Sequence, residues 1–441
     1  MNMIAEVRLW NTTIGAVSLE SGSPVASFEY SPDFIQSGIQ VSPLVMPLSN
    51  RIYRFPALPA ETFHGLPGLL ADSLPDRFGN SLIDAWLARQ GRSAGSFNAV
   101  ERLCYTGTRG LGALEFHPVT GPDQGDTGKI DIARLVELAS NVLKEREKLQ
   151  GAFTGDEEGM KQILRVGTSA GGARAKAVIA FNPVTGEIRS GQVQASENFE
   201  YWILKFDGVT NRDHELNDPQ GFGAIEYAYY RMAQSAGIVM SECHLLEENN
   251  RRHFMTRRFD RTAEGKKIHM QSLCALAHFD FNAPGAYSYE QAFSVIRRII
   301  PDPVDALEQM FRRMVFNILA RNQDDHVKNT AFLMDRKGAW TLAPAFDMTY
   351  SYNPGGLWTG SHQMTLNGKR DGFIIDDFFQ AAKSAGLRRS LTDQAFNDVK
   401  TALLRWEEFA IMSKIPENDW RTIQKNFRLT LNPKKKTGET R

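Results

Sequence analysis

Arg321-Asn322-Gln323-Asp324-Asp325-His326-Val327-Lys328-Asn329, followed by Ala345-Phe346-Asp347, is the stretch on which the reading of this chain turns. It sets out an acid, a carboxamide five residues on, and a second acid eighteen residues beyond that. Kinase-type phosphoryl transfer uses these three groups. A carboxylate takes or orients the proton of the accepting hydroxyl, while an amide oxygen and a second carboxylate hold Mg²⁺ on the phosphates. The flanks suit such a loop. Leu307 to Ala320 has the apolar spacing of an amphipathic helix, and Trp340 to Leu342 is a short apolar strand pattern ending just before Asp347. A polar loop could use its acids simply as helix caps, but a cap needs neither the carboxamide nor the second acid.

A phosphate-cradling loop and a lysine are expected upstream of such a loop. Gly167-Thr168-Ser169-Ala170-Gly171-Gly172-Ala173-Arg174-Ala175-Lys176 offers the cradle, since small residues let backbone N–H groups approach phosphate oxygens. It lies between Ile163-Leu164-Arg165-Val166 and Ala177-Val178-Ile179-Ala180-Phe181, two apolar runs that predict paired strands. No Gly-Lys-Ser/Thr follows, so it is not a Walker loop, and a Gly-rich hairpin needs no ligand. Tyr201-Trp202-Ile203-Leu204-Lys205-Phe206 places a lysine in an apolar strand pattern, where an unpaired ammonium is costly. Its natural partner is Glu226, at the head of the helical run Ile225 to Ala236. The other reading of Lys205 is an edge-strand side chain snorkelling to water.

Gly167 to Lys176, Leu204-Lys205, Glu226, Arg258-Phe259-Asp260-Arg261, Asp324 to Asn329 and Phe346-Asp347 together resemble the HipA family of bacterial serine/threonine kinase toxins. Leu69 to Asp76 and Gly107 to Phe116 resemble the N-terminal third of that family, so the likeness runs along nearly the whole chain. The resemblance implies a role for each matching residue. Asp324 is the expected catalytic base, and Asn329 and Asp347 the expected Mg²⁺ ligands. ATP is expected to meet Gly171, Gly172, Ala173, Arg174, Ala175 and Lys176 over the phosphates. Lys205 contacts the phosphates, braced by Glu226, and the backbone near Arg257, Arg258 and Phe259 meets the adenine. His326, Val327, Lys328 and Phe346 complete the nucleotide site. Lys328 would neutralise charge on the transferred group, and His326 either reacts or braces the loop. Ser169 matches the serine that the family autophosphorylates. The chain departs from the family in Arg257, where an acid is common, and in the basic stretch Ala173-Arg174-Ala175-Lys176.

Composition fits this picture. The chain has 441 residues, 42% hydrophobic and 23% charged, enough for two or three domains of an ordinary globular protein. Its 51 basic and 51 acidic residues cancel, which argues against wholesale electrostatic binding to nucleic acid. Three scattered cysteines, Cys104, Cys243 and Cys274, have no metal-ligand spacing and predict a reducing, cytoplasmic setting. Neither a signal peptide pattern nor a membrane-length apolar run is expected.

The fold class expected is α+β: a bilobal kinase-like fold with a mixed α/β N-terminal part and a mostly helical C-terminal lobe. Residues 1–120 read as an N-terminal α+β module opening with three short strands. Residues 121–258 read as a small lobe with the Gly-rich loop, and residues 259–430 as a helical large lobe. Residues 431–441 read as a basic flexible tail. Helices are expected over Phe78 to Gln90, from Ile132 with Asp131 as cap, and over Gln291 to Ile299, Ala306 to Leu319 and Asp393 to Ile411.

The function this predicts is ATP-dependent protein serine/threonine phosphorylation. The family implies an aminoacyl-tRNA synthetase as target, a helix-turn-helix, HipB-like antitoxin as partner, and at most indirect contact with operator DNA, for which Lys369-Arg370 is the candidate. A kinase of small molecules would carry the same residues. A non-catalytic co-repressor would have no chemical need of Asp324, Asn329, Asp347 and Lys205 together.

Overall fold

The computed structural model describes residues 3–121, 129–144, 157–167, 174–192, 195, 198–209 and 220–431. Four strands near the N-terminus, β1 (Met3–Leu9), β2 (Thr12–Leu19), β3 (Ser27–Tyr30) and β4 (Leu114–His117), form an antiparallel sheet in the order β3-β2-β1-β4. Period-two burial drives it: Ala5, Val7 and Leu9 are buried and Ile4 is exposed. Trp10 and Asn11 both take positive φ, 50° and 67°, as a two-residue hairpin between right-twisted strands requires.

Five further strands, β5 (Lys176–Phe181), β6 (Ile188–Ser190), β7 (Glu200–Lys205), β8 (Cys243–Glu248) and β9 (Arg251–Arg257), make a second antiparallel sheet in the order β6-β5-β7-β9-β8. Helices Arg77–Arg89, Ile132–Lys144 and Glu157–Val166 share its core, with Phe78, Leu82, Leu135, Ile163, Ile179, Trp202 and Leu204 in one buried cluster. Residues 163–166 are thus helical and not the strand their apolar run predicts. Four apolar residues in a row suit either structure. Here Gly159, Ile163 and Val166 fall on one buried helical face, at spacings of four and three.

The chain forms two compact units. The first is Met1–Gly223, Ser241–His278 and Leu333–Ala339; the second is Ala224–Met240, Phe279–Phe332 and Trp340–Arg441. These divisions fall at neither 120 nor 258. Within the first unit, segments that connect the N-terminal strands are bolted to residues 260–278. The Asp260 carboxylate accepts from Gly112 N at 2.7 Å, Asp72 accepts from Ser272 N at 2.7 Å, and Trp10 Nε1 donates to Lys267 O at 2.9 Å. The second unit is mostly helical. Its helix Val304–Leu319 buries residues on nearly every side, including Phe311, Arg313, Val315 and Phe316. The helix expected over Asp393 to Ile411 is two, Arg389–Leu404 and Trp406–Met412, broken at Arg405. The break sends Trp406 inward, where its indole donates to Trp420 O and packs 5.3 Å from Tyr229. No helix among the described residues is long and apolar enough to cross a membrane. Of the expected tail 431–441, residues 432–441 lie outside the described residues.

Candidate active site

Helix Val304–Leu319 delivers the chain to the loop, and Arg321, at φ 60°, turns it out of helical conformation. The loop then runs beside residue 351, with Gln323 N donating to Ser351 O at 3.1 Å. Asn329 ends a short 3₁₀ turn, Val327–Asn329, and its Nδ2 donates to the Asp324 carbonyl at 2.9 Å. That bond explains the five-residue spacing. It also commits the amide nitrogen, so Oδ1 is the atom that Asn329 could offer a metal ion. Asp324 Oδ1 accepts from Trp358 Nε1 at 2.6 Å, with His326 Nε2 further off at 3.8 Å. The carboxylate is about a third exposed, 34%, and Oδ2 accepts no hydrogen bond among the described residues.

Asp347 follows in the left-handed region at φ 53°, an uncommon conformation for a non-glycine residue. The preceding turn is fixed by Ala345 N donating to Val239 O at 2.8 Å. Asn329, Asp347, Phe346 and His326 line one small cavity of about 20 Å³, room for a water-sized occupant. Asn322 Oδ1 and His326 Nδ1, on its wall, are buried without a hydrogen-bond partner among the described residues. A polar occupant is what such a wall calls for. No cluster of three or more metal-ligating side chains occurs among the described residues. Mg²⁺ does not need one, because it takes one or two protein oxygens and fills its shell with phosphate and water.

Sequence reading missed the support beneath this loop. Asp325 is buried, and its carboxylate accepts from Tyr289 Oη at 2.6 Å, His362 Nδ1 at 2.8 Å and Gln363 N at 2.7 Å. Burial alone would raise its pKa. The adjacent His362, Tyr289 hydroxyl and Gln363 N–H outweigh that and hold it below the usual carboxylate value. His362 Nε2 in turn meets Arg428 at 2.7 Å. The partners lie 36 or more residues from Asp325, so no local pattern could reveal them.

In the first unit, Lys205 ends β7 with its ammonium 5.6 Å from the Phe254 ring centroid, a cation–π distance. Lys176, its register partner on β5, is buried 3.9 Å from Asp76 rather than held out over a loop. Arg174 lies 3.8 Å over the Phe222 ring, and Ala175 is buried. A cavity of about 260 Å³ is lined by Tyr201, Arg257, Arg258 and Phe259. The Arg257 and Arg258 N–H groups are already used, by Glu242 O and Tyr201 O at 2.8 Å each, so carbonyl oxygens are what these two residues can offer a base. The Arg258 guanidinium is tied to Asp260 at 2.7 Å, while Arg257 pairs with Glu200 and Glu242 at 3.3 and 3.4 Å. Ser169, Gly171, Gly172 and Ala173 lie outside the described residues.

In the second unit Glu226 is buried near the start of helix Phe222–Ser235, and Lys328 Nζ sits 5.0 Å from the Phe281 ring centroid. Lys369 and Arg370 both have partners within the second unit. Lys369 Nζ is 2.7 Å from Asp377, and Arg370 Nε donates to His362 O at 2.6 Å.

An α+β fold carrying an acid, a carboxamide and a second acid around one loop is that of a kinase-like protein. The chain belongs to the HipA family: the HipA-like C-terminal domain matches residues 168–406 and the HipA N-terminal domain residues 5–117. It is 25% identical over 238 residues to "Putative kinase Y4mE" of Sinorhizobium fredii, covering 52% of this chain and 50% of that one. It is 24% identical over 221 residues to a "Putative kinase" of Haemophilus influenzae, covering 43% and 64%. The matches thus span between half and two thirds of these relatives' length. Among solved structures it is similar to a chain of the Shewanella oneidensis MR-1 complex of HipA, HipB and operator DNA. The TM-score is 0.66 at 19% identity, over 96% of this chain and 94% of that one. At that identity the likeness is one of fold.

Proposed function

We propose that this protein is an ATP- and Mg²⁺-dependent protein serine/threonine kinase of the HipA toxin type. The observation that carries the reading is the hydrogen bond from Asn329 Nδ2 to the Asp324 backbone carbonyl, which ties to one loop the two residues that would supply a metal-ligand oxygen and a catalytic carboxylate. Asn329 and Asp347 would hold Mg²⁺, which when bound neutralises phosphate charge. Asp324 Oδ2 receives the proton of the substrate hydroxyl as its oxygen bonds to the γ-phosphorus and the bond to ADP breaks. Lys205 and Lys328 offset the charge that develops. The protein target is an aminoacyl-tRNA synthetase, phosphorylated so that translation slows, and Ser169 is the autophosphorylated residue. The fold likeness to a chain solved with HipB supports a helix-turn-helix antitoxin as partner. Contact with operator DNA would then pass through that partner, in keeping with the zero net charge and with the internal pairing of Lys369 and Arg370.

The test is transfer of label from Mg-[γ-³²P]ATP to protein, wild type against Asp324→Ala. The variant is expected to fall by roughly 10²–10⁴-fold while still binding nucleotide. A variant with more than half of wild-type transfer, or a wild type with none, overturns the reading.

A further inference from the structure

A carboxylate on a loop serves as a base only when its oxygens are held in one orientation. Among the described residues, one side chain donates a hydrogen bond to the Asp324 carboxylate: Trp358, through Nε1, at 2.6 Å from Oδ1. His326 Nε2, at 3.8 Å, is beyond hydrogen-bond reach. An indole N–H donates and never accepts, so it can fix Oδ1 without competing for the proton that Oδ2 must take.

The indole is delivered by a built loop. Residues 353–360 close on themselves through Asn353 N to Thr359 O at 3.3 Å and Gly356 N to Asn353 O at 3.0 Å. Gly360 has no room for a side chain, because a Cβ there would lie 2.5 Å from Gly356 O. The residues that flank Asp324 in sequence also grip this loop. Gln323, fully buried, donates through Nε2 to Thr359 O at 2.9 Å. Asp325 accepts from Gln363 N at 2.7 Å, and Gln363 Nε2 donates to Trp358 O at 2.5 Å. Base and indole are therefore registered to each other through both neighbours of the base.

From this geometry we infer that Trp358 is a positioning residue for phosphoryl transfer, orienting Asp324 through the Nε1–Oδ1 bond so that Oδ2 faces the substrate hydroxyl. The inference rests on the kinase reading of Asp324. Its test is steady-state kinetics of the full chain with Trp358→Phe, which keeps a ring and removes the N–H. The expected result is a fall in kcat of roughly 10- to 100-fold, the scale of a hydrogen bond to a charged group, with the KM for ATP within about twofold of wild type. A purely structural tryptophan would not split the two constants in this way. Unchanged kcat overturns the inference, as does a raised ATP KM with kcat intact. So does a rise in kcat, which would make the indole a plug over the base. If Trp358→Phe does not fold, Gly360→Ala decides: it leaves the indole in the chain but displaces its loop, and wild-type kcat in that variant overturns the inference. An inactive wild type is a separate outcome, which removes the kinase reading itself.

Discussion

Replacing Asp325 by alanine should cost the chain about 3–5 kcal/mol. Its buried carboxylate accepts three hydrogen bonds, all between 2.6 and 2.8 Å. Truncation strands the Tyr289 hydroxyl, the Gln363 N–H and the His362 ring in the interior, each such group costing about 1–3 kcal/mol. The three share one space, so their costs do not simply add. Breaking a buried charge-assisted pair in other proteins gives about 3–5 kcal/mol, which sets the estimate. Urea unfolding followed by tryptophan fluorescence reads the loss, and a variant within about 1 kcal/mol of wild type refutes the reasoning. The pH dependence gives a second check. The folded pKa of Asp325 lies below its unfolded value, so its contribution is complete above about pH 3.9 and is lost as the pH falls through the folded value. The gap between wild type and variant should therefore stay constant from pH 8 to pH 5 and close only in stronger acid. A gap already closing at pH 6 would refute the assignment.

Asn329→Ala should raise the Mg²⁺ concentration needed for ATP binding, and an identical Mg²⁺ titration in variant and wild type would remove Asn329 as a ligand. Burial lowers the His278 pKa to about 4, and its Nε2 accepts from Gly68 N at 3.0 Å. The fold therefore refuses a proton that the unfolded chain accepts below about pH 6.5, and stability should fall by up to about 3 kcal/mol between pH 6.5 and pH 4. His278→Gln should flatten that slope, and an unchanged melting-temperature profile would contradict this origin. Mixed with active protein and Mg-ATP, an Asp324→Ala acceptor should gain phosphate on Ser169 by peptide mapping. The added charge of about −1.5 to −2 should weaken its ATP binding, and a phosphorylated acceptor that binds ATP as tightly as before would refute this off-switch.

What was legible in the sequence was whatever depends on neighbours. The three N-terminal strands, helix Ile132–Lys144 with Asp131 accepting from Arg134 N, and helix Val304–Leu319 all follow from period and cap chemistry. The five-residue spacing of Asp324 and Asn329 is equally local, and a single hydrogen bond spans it. Residues 163–166 are helical where their apolar run suggests a strand, because four apolar residues carry no period of their own. Adjacency in sequence joins Lys176 to the Gly-rich stretch, and only the fold brings it to 3.9 Å from Asp76, a hundred residues upstream. Trp358, His362 and Arg428 were invisible for the same reason: their roles exist only after the chain has folded back on the loop.

The chain alternates between its two compact units five times, and segments of the N-terminal region are fastened to residues 260–278. Inheritance and folding therefore cut this molecule in different places. A fragment spanning residues 168–406, the extent of the C-terminal family match, would strip Gly112 from Asp260 and Asp72 from Ser272, leaving buried polar groups bare along a torn seam. During synthesis the N-terminal segments cannot complete their contacts until residue 278 has left the ribosome, so the first quarter of the protein must wait, incompletely packed, for more than half of the chain.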